Sequence, residues 1–67
     1  MCLSSVYFLG QGEDKKLICK NIASVESKDS QLIFKNIMGI PTIVSGEISH
    51  IDFVDNCIYV RQSDSFM

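Results

Sequence analysis

The chain has 67 residues, 46% of them hydrophobic and 21% charged, which allows a single domain spanning 1–67 and excludes a disordered chain. Six Lys+Arg against eight Asp+Glu give a net charge of −2, and nucleic-acid domains usually carry a basic face, so a nucleic-acid partner is not expected. A domain this small buries only about 60% of the surface its unfolded chain exposes, so its stability is marginal and natural proteins of this size add disulfides, a metal or a partner subunit.

Strand signals dominate. Residues 2–9 alternate, with Cys2, Ser4, Val6 and Phe8 on one face and Leu3, Ser5, Tyr7 and Leu9 on the other. Both faces are partly apolar, which predicts a central strand or one at a dimer contact. "GQGEDKK" (10–16) is a turn signal with a charged tip. "LICKNIASVES" (17–27) is rich in β-formers and predicts a strand bent near Asn21, followed by a second turn at 27–31. "LIFKNI" (32–37) predicts a third strand in which Leu32 and Phe34 alternate with Ile33 and Lys35.

In "MGIPTIVSGE" (38–47), Gly39 and Pro41 argue for an edge segment or loop, and Met38, Ile40, Ile43 and Val44 for one that covers apolar surface. "EISHIDFV" (47–54) predicts a strand with Ile51 and Phe53 inward and His50 and Asp52 outward. A tight turn at 55–56 leads to a last strand, "CIYVRQ" (57–62), with Ile58 and Val60 inward, and then a tail. Short strands with turns every 8 to 12 residues predict an all-β fold: a small SH3-like barrel or a rolled antiparallel sheet of five to seven strands.

The three cysteines, at 2, 19 and 57, form no close-spaced framework. The opening residues lack the basic region, apolar core and cleavage site of a signal peptide, and no run reaches the roughly 18 apolar residues of a spanning helix. A cytoplasmic protein with reduced thiols and no membrane partner is therefore expected. With disulfides set aside, dimerisation or metal is left as the staple.

Enzyme signatures are absent. The single histidine, His50, lies across a predicted hairpin from Cys57, but a domain this small does not enclose the water-excluded cleft that a Cys–His pair needs. "GQG" at 10–12 lacks the third glycine and following helix of a phosphate loop. A non-catalytic role is expected.

Cys2 is the residue with chemistry of its own. A chain-terminal amine titrates near 8 and a thiol near about 8.5, so both lose protons to a divalent metal at neutral pH. With Met1 retained, its amine, the Cys2 amide nitrogen and the Cys2 thiolate form two fused five-membered chelate rings. With Met1 removed, the Cys2 amine and thiolate form one. Such mixed nitrogen and sulfur donors suit Ni(II) or Cu(II) better than magnesium or calcium. One chain supplies one thiolate; a two-fold dimer that brings both N-termini together supplies two. An incidental cysteine at a free end is the alternative. Cys19, in "LICK", reads as a small buried hydrophobe.

Met-Cys-Leu with Val6-Tyr7 at the start, and Gly46, Ile48, Ile51-Asp52-Phe53 and Ile58 near the end, resemble the CooT family of small proteins. The likeness runs from position 1 to about 60. It implies a β-rich homodimer. The family's named member delivers nickel for maturation of carbon monoxide dehydrogenase and binds it through the cysteine matching Cys2, so the resemblance implies a client that is a nickel enzyme or its maturation factors. Cys19, His50 and Cys57 match no ligand position of the family. Relatives labelled predicted RNA-binding proteins imply a rival reading, a non-catalytic RNA- or protein-binding small barrel, which the pI of about 5.0 does not favour for RNA.

Overall fold

The computed structural model describes residues 3–10 and 15–61. Six strands follow in chain order: β1 (Ser4–Leu9), β2 (Lys15–Lys28), β3 (Gln31–Asn36), β4 (Pro41–Ser45), β5 (Glu47–Asp52) and β6 (Cys57–Arg61). They form one sheet in the order β4-β3-β2-β1-β6-β5, open at both edges and rolled over a core on its inner face. No helix of the described residues is long and apolar enough to cross a membrane. Residues 11–14 of the predicted first turn and the predicted tail lie outside the described residues.

The roll originates in β2. Its pairing with β1 passes from Val6↔Cys19 to Tyr7↔Leu17, leaving Ile18 as an extra residue, and a second extra residue falls between Ile22 and Cys19. A third, Ala23, separates Ile22↔Asn36 from Ser24↔Lys35 on the side of β3. Each such bulge bends the strand and increases its twist. Asn21, with φ of 61°, occupies the left-handed region that asparagine tolerates better than most residues. The bend near Asn21 predicted from sequence is thus present, and it lets one strand pair with β1 along its first half and with β3 along its second.

The alternation of side chains then fills the core. Val6 of β1, Ile22 of β2, Leu32 and Phe34 of β3, and Ile58 and Val60 of β6 are buried together, with Val6, Phe34 and Val60 fully enclosed. Phe8, Cys19, Val25, Val44 and Ile48 pack around them. β1 is central, as its two partly apolar faces imply, and β4 is an edge strand. The pairing of β1 with β6 is parallel, so the first and last strands lie side by side in the middle of an otherwise antiparallel sheet.

Two inward assignments are corrected: Ile51, on the edge strand β5, is 38% exposed, and Phe53 lies beyond the end of that strand. Phe53 is 82% exposed, because β5 ends at Asp52 and residues 53–56 turn. The Asp52 carboxylate accepts hydrogen bonds from the backbone N–H groups of Val54 (2.9 Å) and Asp55 (3.1 Å), an Asx turn that competes successfully with strand extension. Asn36 closes the β3–β4 turn in the same way, accepting from Met38 N–H (2.9 Å) and Ile40 N–H (3.0 Å).

Two glycines with positive φ differ in the space around them. A Cβ at Gly46 (φ 156°) would lie 2.6 Å from the Arg61 carbonyl oxygen, which belongs to backbone and cannot rotate away. A Cβ at Gly39 (φ 82°) would meet nothing within 4 Å. Gly39→Ala should therefore lose only the left-handed preference, about 1 kcal/mol. Gly46→Ala should lose on the order of 2–3 kcal/mol through overpacking. Urea unfolding should show a larger fall in midpoint for Gly46→Ala at unchanged slope; equal midpoints would contradict the close approach of Gly46 to β6.

Candidate functional site

Met1 and Cys2 lie outside the described residues, so the site is built from the strand that follows them. The start of β1 is held on both sides. Ser4 pairs with Ile22 of β2, Ser5 pairs with Cys57 of β6, and the Ser5 N–H donates to the Asn56 carbonyl at 2.9 Å. Asn56 reaches that position with φ of 56°, again a left-handed asparagine.

Apolar surface flanks this strand start. On the β6 side, the turn carries Phe53 and Val54, exposed by 82% and 90%. On the β2 side, the β3–β4 turn carries Ile37, Met38 and Ile40, exposed by 62%, 79% and 56%. That turn is tied to the bend of β2 by the Ile37 N–H donating to the Asn21 carbonyl at 3.1 Å. A groove of about 300 Å³ opens beside Ser4, walled by Ile22, Val25, Ile51, Phe53 and Ile58. Large exposed apolar side chains are thus gathered at one end of the described sheet.

The other sequence-predicted residues are dispersed. Cys19 pairs with Val6 and faces the core side, while Cys57 pairs with Ser5 and faces outward. Burial raises the Cys19 thiol above its ordinary pKa, with a hydrogen bond to Thr42 working in the opposite direction. The Cys57 thiol donates to the Asp55 carbonyl at 3.5 Å. His50 is exposed on β5, as its outward position predicts. Among the described residues, no three His, Cys, Asp or Glu side chains come together in a way that could hold a metal.

On the outer face the fold assembles a feature that the sequence does not announce. His50 stacks on Tyr59 with ring centroids 4.8 Å apart, and Tyr59 stacks on Tyr7 at 5.8 Å. The Lys15 ammonium lies 5.5 Å from the Tyr59 ring and 5.6 Å from the Tyr7 ring, within cation–π range. Partial burial, then the neighbouring Cys57, Asp52 and Asp55, push the Tyr59 hydroxyl above its usual pKa and keep it neutral. The rings stand against one another at 23° and 28°, so their faces are largely taken up by each other.

Two comparisons bear on the whole chain. The crystal structure of a candidate CooT from Carboxydothermus hydrogenoformans superposes with a TM-score of 0.84 at 21% identity, covering 94% of this chain and 100% of that one. No curated protein matches the sequence. The family model described as CO dehydrogenase accessory protein CooT matches residues 1–61, a span that takes in Cys2, all six strands and both apolar turns. The chain belongs to the CooT family of CO dehydrogenase accessory proteins.

Proposed function

We propose that this protein is a cytoplasmic nickel-binding accessory protein, a homodimer that holds one Ni(II) between two Cys2 residues and hands it to a nickel enzyme. Carbon monoxide dehydrogenase, or a factor in its maturation, is the client that the family description favours. The observation that carries the reading is the placement of exposed apolar side chains on both sides of the strand that Cys2 leads into. Ser4 is joined to Cys2 through one residue, so the Cys2 Cα lies within about 8 Å of an anchored position. A two-fold contact across this end would cover Phe53, Val54, Ile37 and Met38 and bring two Cys2 residues together.

In this reading nickel is cargo. The ligands are the Cys2 thiolates, with either the Met1 amine and Cys2 amide nitrogens or the Cys2 amines completing the donor set. Two thiolates with nitrogen partners satisfy Ni(II) in a plane, whereas a structural zinc site is closed by four protein ligands. An accessory protein has to release its metal, and an open site at chain ends suits release. The protein's own task is to hold the thiolates in register, and no bond of a substrate is broken. Nucleic-acid binding is the weaker reading: the stacked rings offer few free faces for bases, and the net charge is −2.

The dimer has a direct test. Light scattering at tens of micromolar should report twice the 7.5 kDa chain mass. Phe53→Asp with Val54→Asp should shift the population towards monomer while leaving the β signal in circular dichroism unchanged. A wild-type chain that runs as a monomer would contradict the reading.

Metal binding has a second. Nickel titration should saturate at one ion per two chains, with thiolate-to-metal charge-transfer absorption in the near ultraviolet. Both thiols give up a proton on binding, and the nitrogen donors release theirs as well, so below these pKa values affinity should fall by at least about two decades per pH unit between pH 8 and 6. A pH-independent affinity, or one ion per chain with no charge-transfer band, would contradict thiolate ligation.

A further inference from the structure

The two edges of the sheet are guarded unequally. Edge strands present unpaired backbone groups, and natural proteins blunt them with charges, bulges or proline. The β5 edge has such protection: it carries Glu47, His50 and Asp52, and its register with β6 is broken by a bulge between Ile48 and His50. The β4 edge has far less. Its pairing with β3 is unbroken from Lys35↔Pro41 to Gln31↔Ser45, and Lys35 is the only charged residue from 31 to 46. Pro41 stands at its first position, where it costs the sheet no inner hydrogen bond.

The phase of the β3–β4 ladder says which groups are free. The Asn36 N–H donates to Ile40 O at 3.1 Å and the Gly46 N–H donates to Ser30 O at 3.3 Å, bracketing the strand pair. Hydrogen-bonded and non-bonded pairs alternate in an antiparallel ladder, so Thr42 and Val44 bond to β3. The N–H and C=O groups of Ile43 and Ser45, and the C=O of Pro41, point away from β3. Ile43 is also 59% exposed, and Pro41 and Ser45 are exposed on the same side.

We propose that the β4 edge, Pro41–Ser45, is a strand-addition site for an extended, apolar segment of a partner protein with an acidic residue near one end. The choice of a partner segment over a second copy rests in part on the proposed dimer, whose contact uses the turns at 37–40 and 53–54 and leaves the outward backbone groups of Ile43 and Ser45 free. It also rests on size. Five residues give a strip about 17 Å long and about 10 Å deep, well short of the roughly 800 Å² per partner of a stable complex. It suits a transient docking contact in which main-chain bonds give affinity and alternate side chains give specificity. The acidic residue follows from Lys35, which projects from the outer face beside Pro41 as the sole charge of the hairpin.

The probe is a capped six-residue peptide, one aspartate followed by alternating threonine and valine, titrated into isotope-labelled protein and followed by NMR. Backbone amide shifts should concentrate at Ile43 and Ser45. Ile43→Pro removes the outward donor without touching the β3 ladder, and should weaken binding by up to about tenfold, the loss of one backbone hydrogen bond. Ile43→Lys, a charged guard on the same strand, should act in the same direction and covers the case in which the proline variant fails to fold. Lys35→Gln should weaken binding by about threefold, as an exposed ion pair would. Absence of binding at millimolar peptide, or undiminished binding by a folded Ile43→Pro or Ile43→Lys variant, would overturn the proposal. So would conversion of the native oligomer to a smaller species by Ile43→Lys, because a second copy would then occupy the edge. Nickel titration of the same variants keeps the two readings apart: it should be unchanged in both, and a wild type that binds no nickel leaves the peptide result standing.

Discussion

The fold depends on one strand being able to bend. β2 is 14 residues long, and a straight strand of that length would run past both of its partners without closing anything. Three extra residues and a left-handed Asn21 turn it through the sheet, so that β3 and β4 come over the face on which Val6, Ile58 and Val60 lie. Val44 of β4 packs against the same core cluster as Val6 of β1, although those strands lie three places apart in the sheet. Without the bend the six buried side chains would be spread along a flat sheet, and a chain of this size has no second layer with which to cover them.

The same bend arranges the surface. The Asn21 carbonyl receives the β3–β4 turn through Ile37, and Ile22 beside it receives the start of β1 through Ser4. Exposed Ile37 and Met38 are thereby brought to the end of the molecule that also carries Phe53 and Val54. A strand geometry required for the core thus gathers the apolar turns around the entry of the N-terminal segment.

Much of the fold was legible because period-two alternation is local: Leu32 and Phe34, or Ile58 and Val60, can be read inward from neighbours alone. Asn21 was legible as a bend because asparagine inside a β-rich run is an anomaly. Phe53 was misread because its alternation continues that of Ile51, while the Asx turn of Asp52 that ends the strand is a three-dimensional competitor. The Tyr7–Tyr59–His50 stack was not legible, since it needs the parallel pairing of the first and last strands, a contact between residues 52 apart in the chain. Cys19 reads as a small hydrophobe from its apolar neighbours, and it packs partly buried against the core. Cys2 was singled out by terminal chemistry and family likeness, not by anything periodic.

The central claim is that Cys2, and neither of the other thiols, holds nickel. Parallel calorimetric nickel titrations of wild type, Cys2→Ala, Cys19→Ala and Cys57→Ala at one pH test it most directly. The account predicts that tight binding and its charge-transfer band disappear in Cys2→Ala alone, with the dimer still folded. Equal nickel affinity in wild type and Cys2→Ala would contradict it.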